Sequence, residues 1–513
     1  GGLMSWFTRM TGVDKVVEQK INDKINGLKL PLVNNSKKAE YRMKENQMWA
    51  SSDADNLLTF YKTHTQTGNH LLHDRLRFWQ WVGGVDVPKL HYPAPEALMN
   101  HLKSLLFSGD VSIYIDEEDE AKSLEINERV AELLKDVEWE SLVQQASIYE
   151  SYSGSVAFKF IIDAEVHDRP IIEAYPRERF DLITKWGKVQ AIVFKDDYTE
   201  DKRDYQLHSI YGKGTINYKL YDDKGKEVPL SKVPDLADLQ DQDFGVPILM
   251  AAWKKNKAVS NEFPDLPYGG SDFEGVIDLF HQIDEIYSTM ALYIRRSRPI
   301  LMVDESILPT TIDGKTSMTP KEYYYDLVKM KPKEENKDKI FRDTPEIKVE
   351  QYTDAINGLN KAVYQTVGMS YTSGLEGVGA NVSGASLVQQ EKATVIIRDA
   401  KIKLWVEFIP RVIKLLLIYD DILNKKLFNL EYLDLVVQVE FPEYNGQTYL
   451  EKITEMATAK QSGLIDTETA VERIYQHDYT QEQRNVITRN IKIERGESFV
   501  SPKQAVNDEG LIE

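Results

Sequence analysis

The sequence predicts a mainly helical α+β protein, and three observations lead to this prediction. Apolar residues recur at helical spacing over 53–133 and again in long stretches between 271 and 416. Between 150 and 220 the apolar period changes to two, which is typical of strands. With 513 residues, the chain is long enough for about three or four domains of ~150 residues each.

Composition narrows the range of functions. The net charge of −19 argues against a protein that grips nucleic acid over a broad surface, because such binding needs many lysines and arginines on phosphates. Cysteine is absent, which excludes disulfides and thiolate metal sites and fits a reducing cytoplasm. No apolar run approaches the ~20 residues that cross a bilayer, and the first residues lack a signal-peptide pattern. We therefore expect a soluble cytoplasmic protein with no membrane partner.

The first part of the chain is predicted to be an amphipathic segment followed by helices. Residues 1–30 have apolar side chains at helical spacing, which fits either a docking helix or a surface helix of the same domain. Residues 31–51 open on a proline and are predicted to be a linker. Helices follow over 53–133, with a strand at 111–115.

A small antiparallel sheet is predicted next. The strands are expected at 155–162, 171–175, 189–194, 207–211 and 216–221. Trp186-Gly187-Lys188 and Asp223-Lys224-Gly225 are typical turn sequences between such strands.

Two long helices around a small insert are predicted after the sheet. Ser271 or Asp272 can cap a helix of about 26 residues that ends at three arginines before a proline, a pattern that suits a helix C-terminus. These cations are Arg295, Arg296 and Arg298. The insert is expected to have strands at 300–303 and 347–351 and a helix at 320–329, and the second long helix is expected at 352–371.

A glycine-rich loop precedes the last long helix. Its residues of interest are Gly374, Glu376, Gly377, Gly379, Asn381, Ser383 and Gly384. A phosphate-binding P-loop would end in Gly-Lys-Ser/Thr, and the lysine is missing here, so the loop is not predicted to bind ATP. Ser386 and Gln389 fit a capping box for the following helix, which Pro410 should kink.

The last part of the chain is predicted to be a strand and three short helices. The strand is expected at 435–441 and the helices at 449–461, 467–476 and 481–492, followed by a mobile tail from 496.

Neither a metal site nor a catalytic site is predicted. His70, His73 and His91 match no zinc-ligand spacing, and the carboxylates lie in solvated runs rather than beside a base at a strand end. Gly314-Lys315-Thr316 resembles the end of a P-loop, but Pro309 stands where the upstream glycine belongs. We therefore expect no cofactor and no enzymatic activity.

Several segments, taken in order over about 40–495, resemble the portal proteins of tailed bacteriophages. They are Tyr149-x-x-Tyr152-x-Gly154-x-Val156-Ala157-Phe158-Lys159, Pro176-x-x-x-Phe180, Tyr268-Gly269-Gly270-Ser271-Asp272, Asn381-x-Ser383-Gly384-x-Ser386-Leu387 and Ser462-Gly463-Leu464-Ile465-Asp466-x-Glu468-Thr469. One departure is Ser386, which separates Ala385 from Leu387 where the family pattern has an alanine–leucine pair.

The resemblance implies a virion protein with wing, stem, clip and crown regions. The wing corresponds to 31–270 and 372–445, the stem helices to 271–299 and 352–371, the clip to 300–351 and the crown to 446–495; 1–30 is an N-terminal segment and 496–513 a tail. Such proteins form a ring, usually of twelve subunits, at one capsid vertex. Their partners are the double-stranded DNA that passes through the ring, the large terminase, the major capsid and scaffolding proteins, and the neck or adaptor proteins. Assembly takes place in the host cytoplasm.

The resemblance also suggests roles for three groups of residues. The glycine loop would be the tunnel loop around DNA, with Glu376 as its one ionised group. Arg295, Arg296 and Arg298, at the foot of the stem, would face phosphates or pair with helix ends and neighbouring subunits. Tyr323, Tyr324, Tyr325 and Lys329 would dock terminase and neck proteins, because tyrosines are common interface anchors. The alternatives are another virion protein, such as a neck or baseplate component, and a metal-dependent nuclease or nucleotide hydrolase.

Overall fold

The computed structural model describes most of the chain. The described residues are 37–66, 78–80, 87–117, 119–163, 165–297, 300–304, 326–330, 340–343, 348–370, 384–425 and 429–442, with short stretches between 456 and 491. The chain divides into two compact units, Gly1–Pro442 and Glu443–Glu513. The predicted segment at 1–30 and the predicted tail at 496–513 lie outside the described residues.

Eight α-helices are described in the first unit. They are α1 Lys37–Ala50, α2 Ala54–Gln66, α3 Ala94–Phe107, α4 Glu120–Asp136, α5 Trp139–Ser153, α6 Ile277–Arg296, α7 Val349–Val367 and α8 Gly384–Lys425. Short 3-10 helices occur at Phe78–Gln80, Arg177–Arg179, Leu230–Lys232, Pro234–Leu236 and Leu430–Leu433.

The strands form four sheets within the described residues. They are β1 Ser112–Asp116, β2 Ser155–Ile161, β3 Ile171–Pro176, β4 Phe180–Lys185, β5 Lys188–Glu200, β6 Arg203–Tyr211, β7 Thr215–Asp222, β8 Glu227–Val228, β9 Gln242–Asp243, β10 Ala252–Lys255, β11 Ile300–Asp304, β12 Asp326–Met330, β13 Ile340–Asp343 and β14 Val436–Glu440. The sheet orders are β1-β14, β10-β2-β3, β12-β11-β13 and β4-β5-β6-β7-β8, with β9 also paired to β7. All pairs are antiparallel except β11 with β12.

The main core lies between α8, α5 and the two sheets that contain β2 and β5. Phe158 and Phe160 of β2 contact Phe408 and Tyr419 of α8 respectively, the latter pair stacked with ring centroids 5.1 Å apart. From Trp405 to Tyr419 most apolar side chains of α8 are fully buried, so this stretch of α8 is a central element of the fold. The helix continues through Pro410.

Two of the long helices pack against each other. α6 and α7 are neighbours, and the rings of Tyr293 and Tyr352 lie 5.8 Å apart near the end of α6 and the start of α7. Gly368 has a φ of 89° and ends α7 in the left-handed conformation, as glycine commonly does at a helix C-terminus. The backbone N–H of Gly368 donates to the carbonyls of Gln365 and Tyr364 in the last turn of α7.

The period-two stretch does form strands, but they belong to two sheets instead of one. β2 and β3 pair with β10, whereas β5, β6 and β7 belong to the six-stranded sheet together with β4, which was not predicted. Turns occur at both predicted tripeptides, where Trp186, Gly187 and Gly225 have positive φ.

Other predictions from the sequence were wrong. The predicted linker at 31–51 contains α1, because the polar segment buries Ala39, Glu45, Asn46 and Trp49 against the rest of the unit. The predicted helix at 320–329 is a strand at Asp326–Met330, and the predicted strand at 347–351 already belongs to α7 from Val349. The Ser386 capping box is wrong as well, since α8 begins at Gly384.

The second unit is helical at each of the described stretches that fall within the three predicted short helices. These are Met456, 458–460, Thr467, 469–471, 487–489 and Ile491. Asp466 accepts a hydrogen bond from the backbone N–H of Thr469 at 2.9 Å, which is the geometry of a helix N-cap. Among the residues described in both units, no helix is long and apolar enough to cross a membrane.

Candidate functional site

Three distant parts of the sequence meet at a buried site that we call the junction. It consists of Glu150, Lys254, Asn256, Asp272, Lys401 and Trp405, all of them buried. Glu150 lies at the end of α5, Asp272 precedes α6, and Lys401 and Trp405 belong to α8. The junction therefore ties the start of α6 to the middle of the long helix that follows the glycine-rich loop.

Glycines allow the backbones to approach at the junction. Gly154 caps α5 with a φ of 85°, and a Cβ atom at this position would lie 2.5 Å from the carbonyl oxygen of Gly269. The backbone N–H of Gly269 donates to Ser155 Oγ at 3.0 Å, and that of Asp272 donates to the Ser151 carbonyl at 2.7 Å. Any side chain at 154 would push these two segments apart.

Asp272 is the central carboxylate of the junction. Its Oδ2 atom accepts a hydrogen bond from Lys401 Nζ at 2.8 Å, and Lys257 Nζ lies 3.3 Å from Oδ1. Burial alone would raise the pKa of Asp272, but the positive charges of Lys401 and Lys257 outweigh burial and lower it to about 2. The predicted role of Asp272 as a helix cap was wrong, because α6 begins at Ile277 without a side-chain cap.

A second buried ion pair lies beside the first. Lys254 Nζ donates to Glu150, whose other oxygen accepts from the indole N–H of Trp405 at 3.0 Å. The ammonium group of Lys254 lies 4.2 Å from the Trp405 ring centroid, a cation–π contact. Burial lowers the pKa of Lys254 to about 8, although Glu150 opposes this shift. The charges of Lys401 and Asp272 in turn act on Lys254, and Lys401 also donates a hydrogen bond to Asn256.

A further polar cluster holds the first half of α6. Asp284 accepts hydrogen bonds from the indole N–H of Trp79 at 2.9 Å and the backbone N–H of Tyr92 at 2.8 Å, and His91 Nδ1 lies 2.8 Å away. Burial raises the pKa of Asp284, and these contacts work against the rise. His91 is one of the three histidines considered above as metal ligands, and its ring contacts the Asp284 carboxylate.

Beyond this cluster, the apolar stripe of α6 is progressively less covered. Phe280 and Ile283 are fully buried, whereas Tyr293 is 55% exposed and Ile294 44% exposed. Arg295 follows them and is exposed at the end of α6, next to Arg296. The second half of α6 therefore presents apolar surface that the described residues of this subunit do not bury.

The structure places few of the other predicted site residues. Gly384 is the first residue of α8, and Lys329 lies in β12. The remaining loop residues from Gly374 to Ser383, the three tyrosines at 323–325 and Arg298 lie outside the described residues. The roles suggested for all of these residues therefore stay predictions.

Sequence reasoning missed the junction itself. A buried charge requires a partner, but the sequence does not mark these lysines as buried. Lys401 has Arg398, Asp399 and Lys403 close by, and Lys254 is followed by Lys255 and Lys257. The identity of the partners depends on contacts between residues more than 100 positions apart, which periodicity does not reveal.

The charged side chains of the junction bind one another. Both junction carboxylates are paired with lysines, and none of the described residues forms a group of three or more His, Asp or Glu that could hold a metal ion. Two buried ion pairs fix the segment before α6 and the middle of α8, and the described residues leave Tyr293 and Ile294 at the end of α6 exposed.

Comparison with known families identifies the assembly. A family model described as "Phage portal protein, SPP1 Gp6-like" matches residues 89–486, which is more than three quarters of the chain, and the chain belongs to this family. Portal proteins of this family are structural components of the virion capsid that self-assemble and interact with capsid and packaging components. Comparison with individually curated proteins gives no match.

Proposed function

We propose that this chain forms the ring at one capsid vertex through which double-stranded DNA is packaged and later ejected. The observation that carries the proposal is the apolar surface at the end of α6, which the described residues leave exposed at Tyr293 and Ile294, in a chain of the portal family. A closed head-to-tail ring buries one face of each subunit against a different face of the next. The surface around Tyr293 and Ile294 is suited to such a contact.

In this proposal α6 and α7 are the stem, and 300–351 is the clip at its tip. The clip docks the large terminase during packaging and neck proteins afterwards, and the wing and crown correspond to the regions given above. The resemblance supports a ring of twelve subunits and contacts of the wing with capsid and scaffolding proteins. The small β12-β11-β13 sheet between α6 and α7 is compatible with a compact clip.

The glycine-rich loop before α8 is proposed to line the channel. Its residues carry one ionised side chain, Glu376, so DNA would slide past it with little attraction. Even ordinary non-specific binding, with a Kd of about 10⁻⁴–10⁻⁶ M, would hinder sliding if it were summed around a basic ring. The net charge of −19 agrees with a channel protein that does not hold DNA.

Electron microscopy of the purified protein tests the proposal directly. We expect rings with a wide central channel, and mass photometry should give a mass near twelve subunits of 59.0 kDa. A protein that stays monomeric at micromolar concentration, or that forms open filaments, would contradict the proposal and favour another virion component.

A further inference from the structure

Trp186 is the most exposed of the large hydrophobic side chains described in the structure. It is 91% exposed at the tip of the hairpin between β4 and β5. Its φ of 54° lies in the left-handed region, which is uncommon for residues other than glycine, asparagine and aspartate. The turn thus holds a large apolar ring in water on a strained backbone, and folding of the subunit itself gains nothing from it.

Two lysines flank this ring. Lys185 and Lys188 end β4 and begin β5, and both are exposed. Neither ammonium group is paired with a carboxylate in the described part of the chain. The tip therefore combines one aromatic anchor with two positive charges that no described carboxylate pairs, and it suits an apolar cavity with an acidic rim.

This chain itself contains such a cavity. A space of about 720 Å³ opens between the end of α3, α4 and the start of α5. Its volume is in the range of about 300–1,000 Å³ that is typical of small-ligand sites, which is larger than an indole ring needs. Apolar side chains from Phe107, Val111, Leu134, Trp139 and Val143 line it.

The rim of the cavity is acidic. Asp110, Glu138 and Glu140 line it and are exposed, against one lysine, Lys135. The indole Nε1 of Trp139 is buried and makes no hydrogen bond to any described residue. Glu138 has a φ of 49°, so the rim, like the tip, contains a strained residue.

We propose that Trp186 of one subunit inserts into this cavity of the next subunit in the ring. Lys185 and Lys188 then face the carboxylates of the rim. Trp186 is exposed in its own subunit, so it does not occupy its own cavity. Two different surfaces that complement each other are what a closed head-to-tail ring needs. The inference rests on the ring proposed above and adds a contact outside the stem.

Cross-linking between two single-cysteine chains tests the contact, since the native sequence has no cysteine. One chain carries Lys185→Cys, which keeps Trp186, and a differently tagged chain carries Ser141→Cys at the exposed cavity edge. In mixed rings, a short thiol-specific cross-linker should join the two tags. Arg203→Cys replaces Lys185→Cys in the control. Arg203 begins β6 and pairs with Glu200, the last residue of β5, which is about 40 Å along the strand from Lys188.

The outcomes separate this inference from the proposed ring. Rings with Lys185–Ser141 cross-linking well above the Arg203 control support the contact. Rings in which both pairs cross-link equally would overturn it and leave the portal function intact. Absence of rings from the unmodified protein would instead count against the proposed function.

A substitution provides a second readout. Trp186→Asn places a residue that tolerates positive φ in the turn. We expect its unfolding stability to be equal or higher, and subunit association to weaken about tenfold or more, as for loss of an aromatic anchor. Lys185→Glu with Lys188→Glu should weaken assembly too, and Glu138→Lys with Glu140→Lys in the same chain should restore it. Unchanged assembly of Trp186→Asn, or normal rings that fail only to enter capsids, would contradict the proposal.

Discussion

Lys401 and Asp272 form a buried ion pair 2.8 Å long between residues 129 positions apart. Lys401 lies in α8, after the glycine-rich loop, and Asp272 lies five residues before the start of α6. The pair thus joins the segment behind the proposed tunnel loop to the segment that leads into the proposed stem.

Removing one partner of this pair should destabilise the subunit strongly. Lys401→Met removes the nearer cation from the buried Asp272 carboxylate and leaves the longer contact to Lys257; removing one partner of a buried ion pair costs about 3–5 kcal/mol. Denaturant unfolding measures the loss. Lys403→Met, an exposed site on the same helix, should change stability by less than about 0.5 kcal/mol. Equal losses for the two variants would show that the ion pair contributes little.

The same carboxylate predicts a pH dependence. The pKa of Asp272 falls from 3.8 to about 2 on folding. The contribution of Asp272 to the free energy of unfolding is therefore complete above about pH 4 and is lost as the pH falls through 2. Over this pH interval, the lower pKa in the folded state adds about 2–3 kcal/mol to the free energy of unfolding.

Urea unfolding of the native protein and of Asp272→Asn at pH 6, 5, 4 and 3 measures this contribution. The stability difference between the two should be constant at the higher values and should shrink at the lowest. A difference that does not change between pH 5 and pH 3 would mean that Asp272 titrates normally.

Gly154→Ala should disrupt the junction through the backbone. The substitution adds the cost of a left-handed conformation, about 1–2 kcal/mol, to a clash with the Gly269 carbonyl. Gly187→Ala is the matched control, because its φ is 73° and its Cβ would meet open space. We expect thermal or denaturant unfolding to show a loss for Gly154→Ala at least twice that for Gly187→Ala. Similar losses would indicate that the two segments can separate without cost.

Much of the fold follows from local sequence, and the junction does not. Strands β2, β3, β5, β6 and β7 were predictable because their alternation and their turn residues act within a few positions. The helix α1 was missed because its pattern is weakly amphipathic, and Glu45 is buried through contacts with Arg42 and with Tyr61 of α2.

Asp272 was also assigned wrongly because its contacts involve residues that are distant in the sequence. An aspartate shortly before a helix is typical of an N-cap. Its ion-pair partners, Lys257 and Lys401, lie in two other parts of the fold. Local spacing contains no information about such partners.

Ile294→Lys should impair assembly without destabilising the subunit. Ile294 is 44% exposed near the end of α6, so a lysine is tolerated in the monomer but would be buried in a ring of packed stems. Mass photometry should show fewer complete rings, with an unchanged unfolding midpoint. Val166→Lys, at a 70% exposed site between β2 and β3, serves as the control and should assemble normally. Normal rings with Ile294→Lys would place the stem contact elsewhere.

Deletion of 374–379 should separate assembly from packaging. The deletion shortens the proposed tunnel loop but leaves α6, α7 and α8 unchanged. We expect rings of normal size by electron microscopy and a large loss of DNA packaging in an assay with terminase and ATP. Normal packaging by the deletion variant would contradict a role of the loop at the channel.

The 42-residue helix α8 has a mechanical consequence. Its first residue, Gly384, is 17 positions before Lys401, which at ~1.5 Å per residue is about 25 Å. Between these two positions the helix is also held at Thr394, whose hydroxyl accepts a hydrogen bond from the backbone N–H of Ser370 at 3.0 Å, and at Arg398, which donates to the Leu105 carbonyl at 2.8 Å. A sideways push from DNA on the proposed loop would be transmitted along the helix to these contacts and to the ion pair of Lys401, which together would resist it. The resistance that DNA meets as it moves past the loop would then depend on contacts far from the loop itself.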